Sequence, residues 1–313
     1  MTPLRSERGQ VTVLTAVFLV VMLGLCGFVL DVGSWFRQQR VSQATVDAAA
    51  LAGAQALPSD PGSAKSLAEQ YAADNGGVAG ATFTVSTKYR PNDAITVTQA
   101  SDVNTMFAKL PPFNIAKATT HASATAIAEP PTEVTGAAPI VVNISHKMLS
   151  GPGCPCFGVP TTIPLGKENS DGTFTPGAFG LVDCDGSTGG GAGSSELGDW
   201  ITSGYDKYLP LGYYDSDTGA KFGSTDVQTS LESKYGSDLL FPVFDSLEGT
   251  GSNAEYHIIG WASFHITLAQ SGGNDGTLSG YFDRVIWDGI IPADGSGDSS
   301  LPDLGVYSVA IVN

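Results

Sequence analysis

Basic residues are scarce in this chain of 313 residues. Lys and Arg together number 15 against 31 Asp and Glu, so the formal net charge is −16. Proteins that bind nucleic acid neutralise phosphates with clustered basic side chains, and this composition therefore excludes nucleic acid as a partner. Charged residues make up only 15% of the chain, against about 25% in ordinary soluble domains. Apolar residues make up 42%, and 39 residues are glycine. These values predict an exported chain, rich in strands and turns, with enough apolar side chains for a core.

Motifs of the common catalytic and metal-binding classes are missing as well. The chain contains no H-E-x-x-H, G-x-S-x-G or G-x-x-x-x-G-K-[ST] string. Two oxygen-rich turns, 183–186 and 215–219, lack the later Glu of a calcium loop, so plain turns are favoured there. Structural, hydrogen-bonded roles are favoured for His257 and His265, which can share one face of a strand. The sequence predicts a protein that is not an enzyme and has no cofactor or metal site.

One long apolar segment is present near the N-terminus. Residues 11–30, VTVLTAVFLVVMLGLCGFVL, contain no charged side chain. A helix of this length covers about 30 Å, the hydrocarbon thickness of a bilayer. Because a buried core helix seldom runs this far without a polar face, the segment predicts a transmembrane helix at 11–30.

The alternative for this segment is a cleaved signal peptide, since Arg5 and Arg8 precede it. The apolar stretch is longer than the about 7–15 residues of a signal-peptide core, and small residues resembling a cleavage site begin only at Ala48. A retained signal anchor is therefore expected.

Residues 1–57 hold four basic and three acidic side chains, which leaves 11 basic and 28 acidic ones for residues 58–313. This acidic body favours a single pass through the cell membrane, with a cytoplasmic N-terminus and an extracytoplasmic C-terminal body.

Helical character continues beyond the apolar segment as a stem that ends at residue 57. Small side chains recur every four residues along the stem and form a ridge: Ala44, Ala48, Ala52 and Ala56. Such a ridge allows another helix or a sheet to approach closely. Two interpretations remain open for it, namely packing of the stem on its own domain and a surface for a partner helix.

Residues 8–54 combine several specific features. Arg8-Gly9-Gln10 precedes the apolar segment, Asp31-Val32-Gly33 follows it, and the block DAAALAGA occupies residues 47–54. Together with Arg40 and Gln43-Ala44, these features resemble the N-terminal region of TadE/TadG-like proteins, membrane proteins encoded with the Tad (tight adherence) machinery that builds Flp pili. The resemblance implies a bacterial envelope protein that works with other Tad pilus-assembly proteins or pilin helices.

The sequence departs from related patterns at two points. A prepilin cleavage site has Glu at the fifth position after its Gly, whereas Leu14 follows Gly9 at that distance. Processing by a prepilin peptidase and polymerisation as a pilin subunit are therefore not expected. Many TadG-like relatives carry a von Willebrand A-type metal site with a D-x-S-x-S string, but residues 294–298 read DGSGD and lack the final Ser. No metal site is assigned to them.

The remainder of the chain is predicted to form two further parts. Residues 58–130 are expected to fold as a small αββαβ unit that resembles pilin-like proteins, with helices at 64–75 and 102–110 and alternating strands at 81–89, 94–101 and 115–128. Pro130-Pro131 marks a boundary. Residues 131–313 are Gly-rich and predict a mainly antiparallel β-rich domain, with strand and turn signals about every ten residues. The predicted fold class is α+β.

Four cysteines are present, one of them, Cys26, inside the apolar segment. The other three are disulfide candidates if the body is exported: Cys154, Cys156 and Cys184. Cysteines separated by one residue rarely bridge each other, so Cys184 is expected to bond either Cys154 or Cys156. That bond closes a loop of about thirty residues and contributes about 3–4 kcal/mol. A metal site on the three thiols lacks a fourth ligand at standard spacing and is disfavoured.

Two functional hypotheses follow from the sequence. The first is a non-enzymatic, single-pass envelope protein associated with Tad/Flp pilus assembly or surface adherence, whose partners are the membrane, other Tad proteins and cell-wall components. The alternative is a membrane-anchored extracytoplasmic glycan-binding module or hydrolase that is unrelated to pili.

Overall fold

The chain forms two compact units with mixed α+β structure. The computed structural model describes residues 8–76, 80–111, 113–165, 180–186, 191–217, 219, 221–250, 253–271, 276–291 and 301–312. The N-terminal unit comprises Met1–Ile127 with Ile311–Asn313, and the C-terminal unit comprises Ala128–Ala310. A long apolar helix belongs to the first unit and most of the strands to the second, in agreement with the predicted fold class.

Helix α1, Arg8–Ala54, is 47 residues long and contains both the apolar segment and the stem. The helix ends in a turn with a hydrogen bond from the Leu57 backbone N–H to the Ala54 carbonyl, at 3.0 Å. Helix α2, Pro61–Asp74, begins at Asp60, whose carboxylate accepts hydrogen bonds from the backbone N–H groups of Gly62 and Ser63. Proline at the first helical position and a capping Asp are typical of a helix start.

Three antiparallel strands complete the N-terminal unit: β1, Thr82–Ser86; β2, Ala94–Asn104; and β3, Lys117–Glu129. The turn between β1 and β2 is built around Asp93, whose buried carboxylate accepts hydrogen bonds from the N–H groups of Lys88, Tyr89 and Arg90 at 2.6–2.7 Å. Period-two alternation of polar and apolar residues places one face of these strands against α1 and α2.

The helix predicted at residues 102–110 is wrong, so the αββαβ order does not occur. Strand β2 pairs with β3 as far as Asn104, opposite Lys117, and a loop follows in place of the helix. The backbone N–H groups of residues 106–108 bond to the carboxylate of Asp31 on α1. The Asp31 carboxylate therefore replaces the backbone carbonyls that would accept these hydrogen bonds in a helix. Helix propensity depends on neighbouring residues and does not reflect an acceptor so far away in the sequence.

The C-terminal unit is mainly antiparallel β structure. Its strands are β4, Glu133–Val134; β5, Val142–Asn143; β6, Thr161–Leu165; β7, Leu209–Pro210; β8, Gly212–Asp215; β9, Asp238–Glu248; β10, Glu255–Ser271; β11, Gly276–Asp283; β12, Val285–Ile286; β13, Gly289–Ile290; and β14, Val306–Val312. The largest sheet has the order β5-β9-β10-β11-β6. Strand β10 pairs with β8 along its first residues and with β11 along its later ones, on the edge opposite β9.

Among its described residues, three α-helices accompany these strands: α3, Lys147–Ser150; α4, Ser194–Ser203; and α5, Thr225–Ser233. The core between the helices and the sheet is mainly aliphatic, and within it the rings of Phe241, Phe264 and Phe282 pack in series at centroid distances of 5.7 and 5.1 Å. Leu197 and Leu231 contribute to the same buried cluster from α4 and α5. Amphipathic spacing therefore positions both helices over one face of the sheet.

Candidate functional site

The apolar segment of α1 exposes apolar side chains on all of its sides. Every residue from Val11 to Leu30 except Gly27 is exposed. The helix is long and apolar enough to cross a membrane, with a mean hydropathy of 2.8 over its most apolar stretch. Apolar surface around a whole helix is unfavourable in water, so lipid or another protein must cover it.

Asp31 lies immediately after this segment and is almost completely buried. Its carboxylate accepts hydrogen bonds from three consecutive backbone N–H groups, those of Met106 at 2.7 Å, Phe107 at 2.9 Å and Ala108 at 2.6 Å. Three such bonds, together with the charge of Lys109, compensate the carboxylate charge. Sequence reasoning missed this role, because the partners lie 75 to 77 residues away and leave no local signal.

The stem of α1 is held to the sheet of its own unit by amide side chains. Gln39 donates a hydrogen bond from Nε2 to the His121 carbonyl at 2.6 Å, and Gln43 donates one to the Ser123 carbonyl at 2.9 Å. Both acceptors belong to β3. These bonds add to the packing of the stem on α2 and β2.

The four alanines of the predicted ridge do not share one environment. Ala44 is exposed, Ala48 and Ala56 are half-buried, and Ala52 is buried. Four residues advance about 400° around a helix, so a four-residue repeat winds from the surface into the unit. Close approach to α2 is instead made at Gly53, which lies against Ala64 and Ala68. Use of the ridge by a partner helix stays a prediction.

The cysteine pairing differs from the sequence expectation. Cys154 and Cys156 form the disulfide, with their Cα atoms 4.5 Å apart, and Cys184 is a buried free thiol. Cys184 belongs to a hydrophobic cluster with Val182 and Tyr205 and is only 4% exposed. Burial, reinforced by the negative charges of neighbouring carboxyl groups, raises the pKa of the Cys184 thiol, which therefore remains protonated.

A cleft of about 340 Å³ opens in the C-terminal unit beside Cys184. Its walls carry four tyrosines and four carboxyl groups: Tyr205, Tyr208, Tyr213, Tyr214, Asp183, Asp185, Asp215 and Glu255. The two acidic turns noted in the sequence meet here, because the Asp183 backbone N–H bonds to the Asp215 carbonyl at 3.0 Å. The close spacing of the tyrosines was the signal that sequence reasoning missed.

The tyrosines of the cleft have fixed orientations. The Tyr214 hydroxyl donates a hydrogen bond to the Pro210 carbonyl at 2.6 Å, and burial raises the pKa of Tyr214. The Tyr213 ring stacks on His257 with a centroid distance of 4.5 Å. His257 Nδ1 in turn lies 2.8 Å from an Asp245 carboxylate oxygen. The cleft therefore offers rigid aromatic faces beside hydrogen-bond acceptors.

Both histidines of β10 bond to an aspartate carboxylate. His265 repeats the arrangement of His257, with Nδ1 2.8 Å from Asp238 and its ring stacked on Tyr281. Over the residues that the structure describes, no group of three or more His, Cys, Asp or Glu side chains is arranged to hold a metal ion. Residues 294–298, the DGSGD string, lie outside the described residues.

Comparison with known families finds a match in the N-terminal part of the chain. Residues 9–56 match the family described as putative Flp pilus-assembly TadE/G-like, which confirms the resemblance inferred from the sequence. The matched residues comprise the apolar segment and nearly the whole stem. No curated protein and no solved structure matches the chain.

Proposed function

We propose that this chain, which carries a TadE/G-like Flp pilus-assembly segment at residues 9–56, is a single-pass, non-enzymatic envelope protein of pilus assembly or surface adherence. The observation that carries the proposal is the exposed apolar surface on all sides of residues 11–30, inside the matched segment. A protein with this surface is stable only when lipid or other apolar helices surround it.

The stem then acts as a rigid connection between the membrane and the folded N-terminal unit. Its packing on α2 and β2 and its amide bonds to β3 join it to the folded unit. We place the N-terminus in the cytoplasm and the acidic body outside, where a disulfide such as Cys154–Cys156 is stable. Exposed stem positions such as Ala44 are then available to other Tad proteins or to pilin helices.

Loss of the anchor is expected to abolish piliation. In a bacterium that carries this gene, Val20→Glu with Leu23→Glu places two charges in the apolar segment, at a cost of about 2.5–3.5 kcal/mol each. We expect the variant protein to leave the membrane fraction, and pili counted by electron microscopy to fall to the level of a gene deletion. The matched control is Val159→Glu, an exposed apolar position of the body that is 42% accessible, which should retain both properties. Normal piliation in the gene deletion contradicts the proposal.

A second candidate function, the binding of cell-wall glycan, is favoured by the tyrosine-lined cleft. Aromatic faces stack on sugar rings, and carboxylates accept hydrogen bonds from sugar hydroxyls. Saturable binding of the full chain in detergent to purified wall polysaccharide is expected, and Tyr213→Ala is expected to weaken it up to about tenfold. Tyr71→Ala, at an exposed tyrosine of the other unit, is the control and should leave binding unchanged. Absence of saturable binding excludes this function.

A further inference from the structure

The loop between β2 and β3 exposes more apolar surface than any role within the unit explains. Residues 105–115 read TMFAKLPPFNI and contain a single charged residue, Lys109. The exposed fraction is 68% for Met106, 52% for Leu110 and 66% for Phe113. Three bulky apolar side chains on one short loop form an apolar patch of the kind that marks a contact with a membrane or a partner. We refer to residues 105–115 as the apolar loop.

Backbone hydrogen bonds hold the described residues of the apolar loop, 105–111 and 113–115. The Thr105 backbone N–H donates to the Ala116 carbonyl at 3.1 Å, and the Ile115 N–H donates to the Ala108 carbonyl at 2.8 Å. Two turns inside it are closed by bonds from the Leu110 N–H to Phe107 and from the Phe113 N–H to Leu110, at 3.0 and 3.1 Å. Its apolar side chains are therefore held at the surface by the backbone.

The loop is also fixed beside the end of the apolar segment of α1. Asp31 accepts the N–H groups of residues 106–108, as described above. One helical turn earlier, the Phe107 ring lies directly on Gly27, where an added Cβ would stand only 2.4 Å from the ring. The loop is thus level with the last turn of the segment that the proposed function places in the membrane.

We propose that the apolar loop enters the outer leaflet beside the transmembrane helix and forms a second contact of this protein with lipid. The inference rests on the membrane anchoring in the proposed function. Lipid is the occupant that the structure favours, because the loop continues the apolar surface of the helix at the level where the helix leaves the bilayer. Lys109 suits this position, since a basic side chain there extends toward lipid phosphates. Asp31 is the positioning residue that holds the loop at this depth.

Quenching by brominated lipid tests the contact in the full chain. Phe113→Trp adds one indole at the tip of the loop, and Tyr71→Trp adds one at an exposed site of α2, each measured as a difference from the unchanged chain with its four tryptophans. In vesicles whose acyl chains are brominated near the headgroups, we expect the fluorescence added by Phe113→Trp to fall by about half or more and to shift to shorter wavelength. The fluorescence added by Tyr71→Trp should not change.

Adding Asp31→Asn to Phe113→Trp removes the negative charge and one of the two acceptor oxygens, and is expected to reduce the quenching. Resistance to alkaline extraction, measured on the same vesicles, reports the anchor separately. Unquenched Phe113→Trp in an extraction-resistant chain overturns the loop proposal and leaves the anchor intact. Equal quenching of both indoles, or a shift that depends on protein concentration and not on brominated lipid, also overturns it, the latter in favour of a contact between copies.

Discussion

Replacing Gly53 with leucine is expected to separate α1 from α2 and to destabilise the N-terminal unit by about 3 kcal/mol or more. A Cβ at this position would lie 2.8 Å from the backbone oxygen of Ala64, 2.8 Å from the Ile95 side chain and 3.1 Å from the Ala68 Cβ. Two of these neighbours belong to a helix that cannot move without losing its own buried contacts. Overpacking therefore exceeds the gain of up to about 1 kcal/mol from removing a helical glycine.

Hydrogen exchange of α2 amides in the detergent-solubilised full chain measures this loss, because it reports on one unit at a time. The matched control is Gly33→Leu on the same helix, where an added Cβ meets nothing within 4 Å. We expect unchanged exchange in the control. Equal protection of α2 in both variants would show that the close helix contact at Gly53 does not occur.

Replacing Lys221 with methionine is expected to destabilise the C-terminal unit by about 3–5 kcal/mol at neutral pH. The Lys221 ammonium lies 2.5 Å from a carboxylate oxygen of Asp217 and 2.6 Å from the Ala192 carbonyl. The Asp217 side chain is fully buried, so removal of the lysine leaves a buried charge without its counter-charge. The midpoint and slope of denaturant unfolding, followed by aromatic fluorescence, give the free energy.

The loss of unfolding free energy in Lys221→Met should become smaller as the pH falls. Burial raises the pKa of Asp217 above its ordinary value of 3.8, against the hydrogen bond and the charge of Lys221, which lower it. Without the lysine the pKa rises further, and the folded state then binds a proton more tightly than the unfolded chain. The penalty is therefore complete above the folded-state pKa and decreases as the pH falls through that value. Unfolding measured between neutral pH and pH about 5 tests this direction.

The matched control is Lys117→Met, because the ion pair of Lys117 with Asp102 is exposed. The two side chains are 59% and 52% accessible and 3.4 Å apart, and such pairs contribute less than about 1 kcal/mol. The double variant Lys221→Met with Asp217→Asn should recover much of the lost stability, since it removes the buried charge. If Lys221→Met lowers the free energy of unfolding no more than Lys117→Met does, the assignment of Lys221 and Asp217 as a buried ion pair is contradicted.

Two carboxylates illustrate which part of the fold was readable from the sequence. Asp93 accepts three N–H groups from residues three to five positions before it, within one hairpin. Asp31 makes the same kind of contact with residues 75 to 77 positions away. Its place after the apolar segment was recognised as part of a family pattern, but its partners were assigned to a helix that does not form. The contact of Asp93 forms between residues that are close in the sequence, whereas the contact of Asp31 forms only after α1 has packed on the sheet.

The sequence by itself determined the apolar segment, the stem, α2 and the three strands β1 to β3, because hydrophobic periodicity and capping residues act over a few neighbouring positions. The tertiary structure alone decided the conformation of the apolar loop and the meeting of two acidic turns at a tyrosine-lined cleft. These features depend on which residues burial brings together across long stretches of chain. Spacing along the sequence does not encode such contacts, since each is selected by packing and by the need to satisfy buried polar groups.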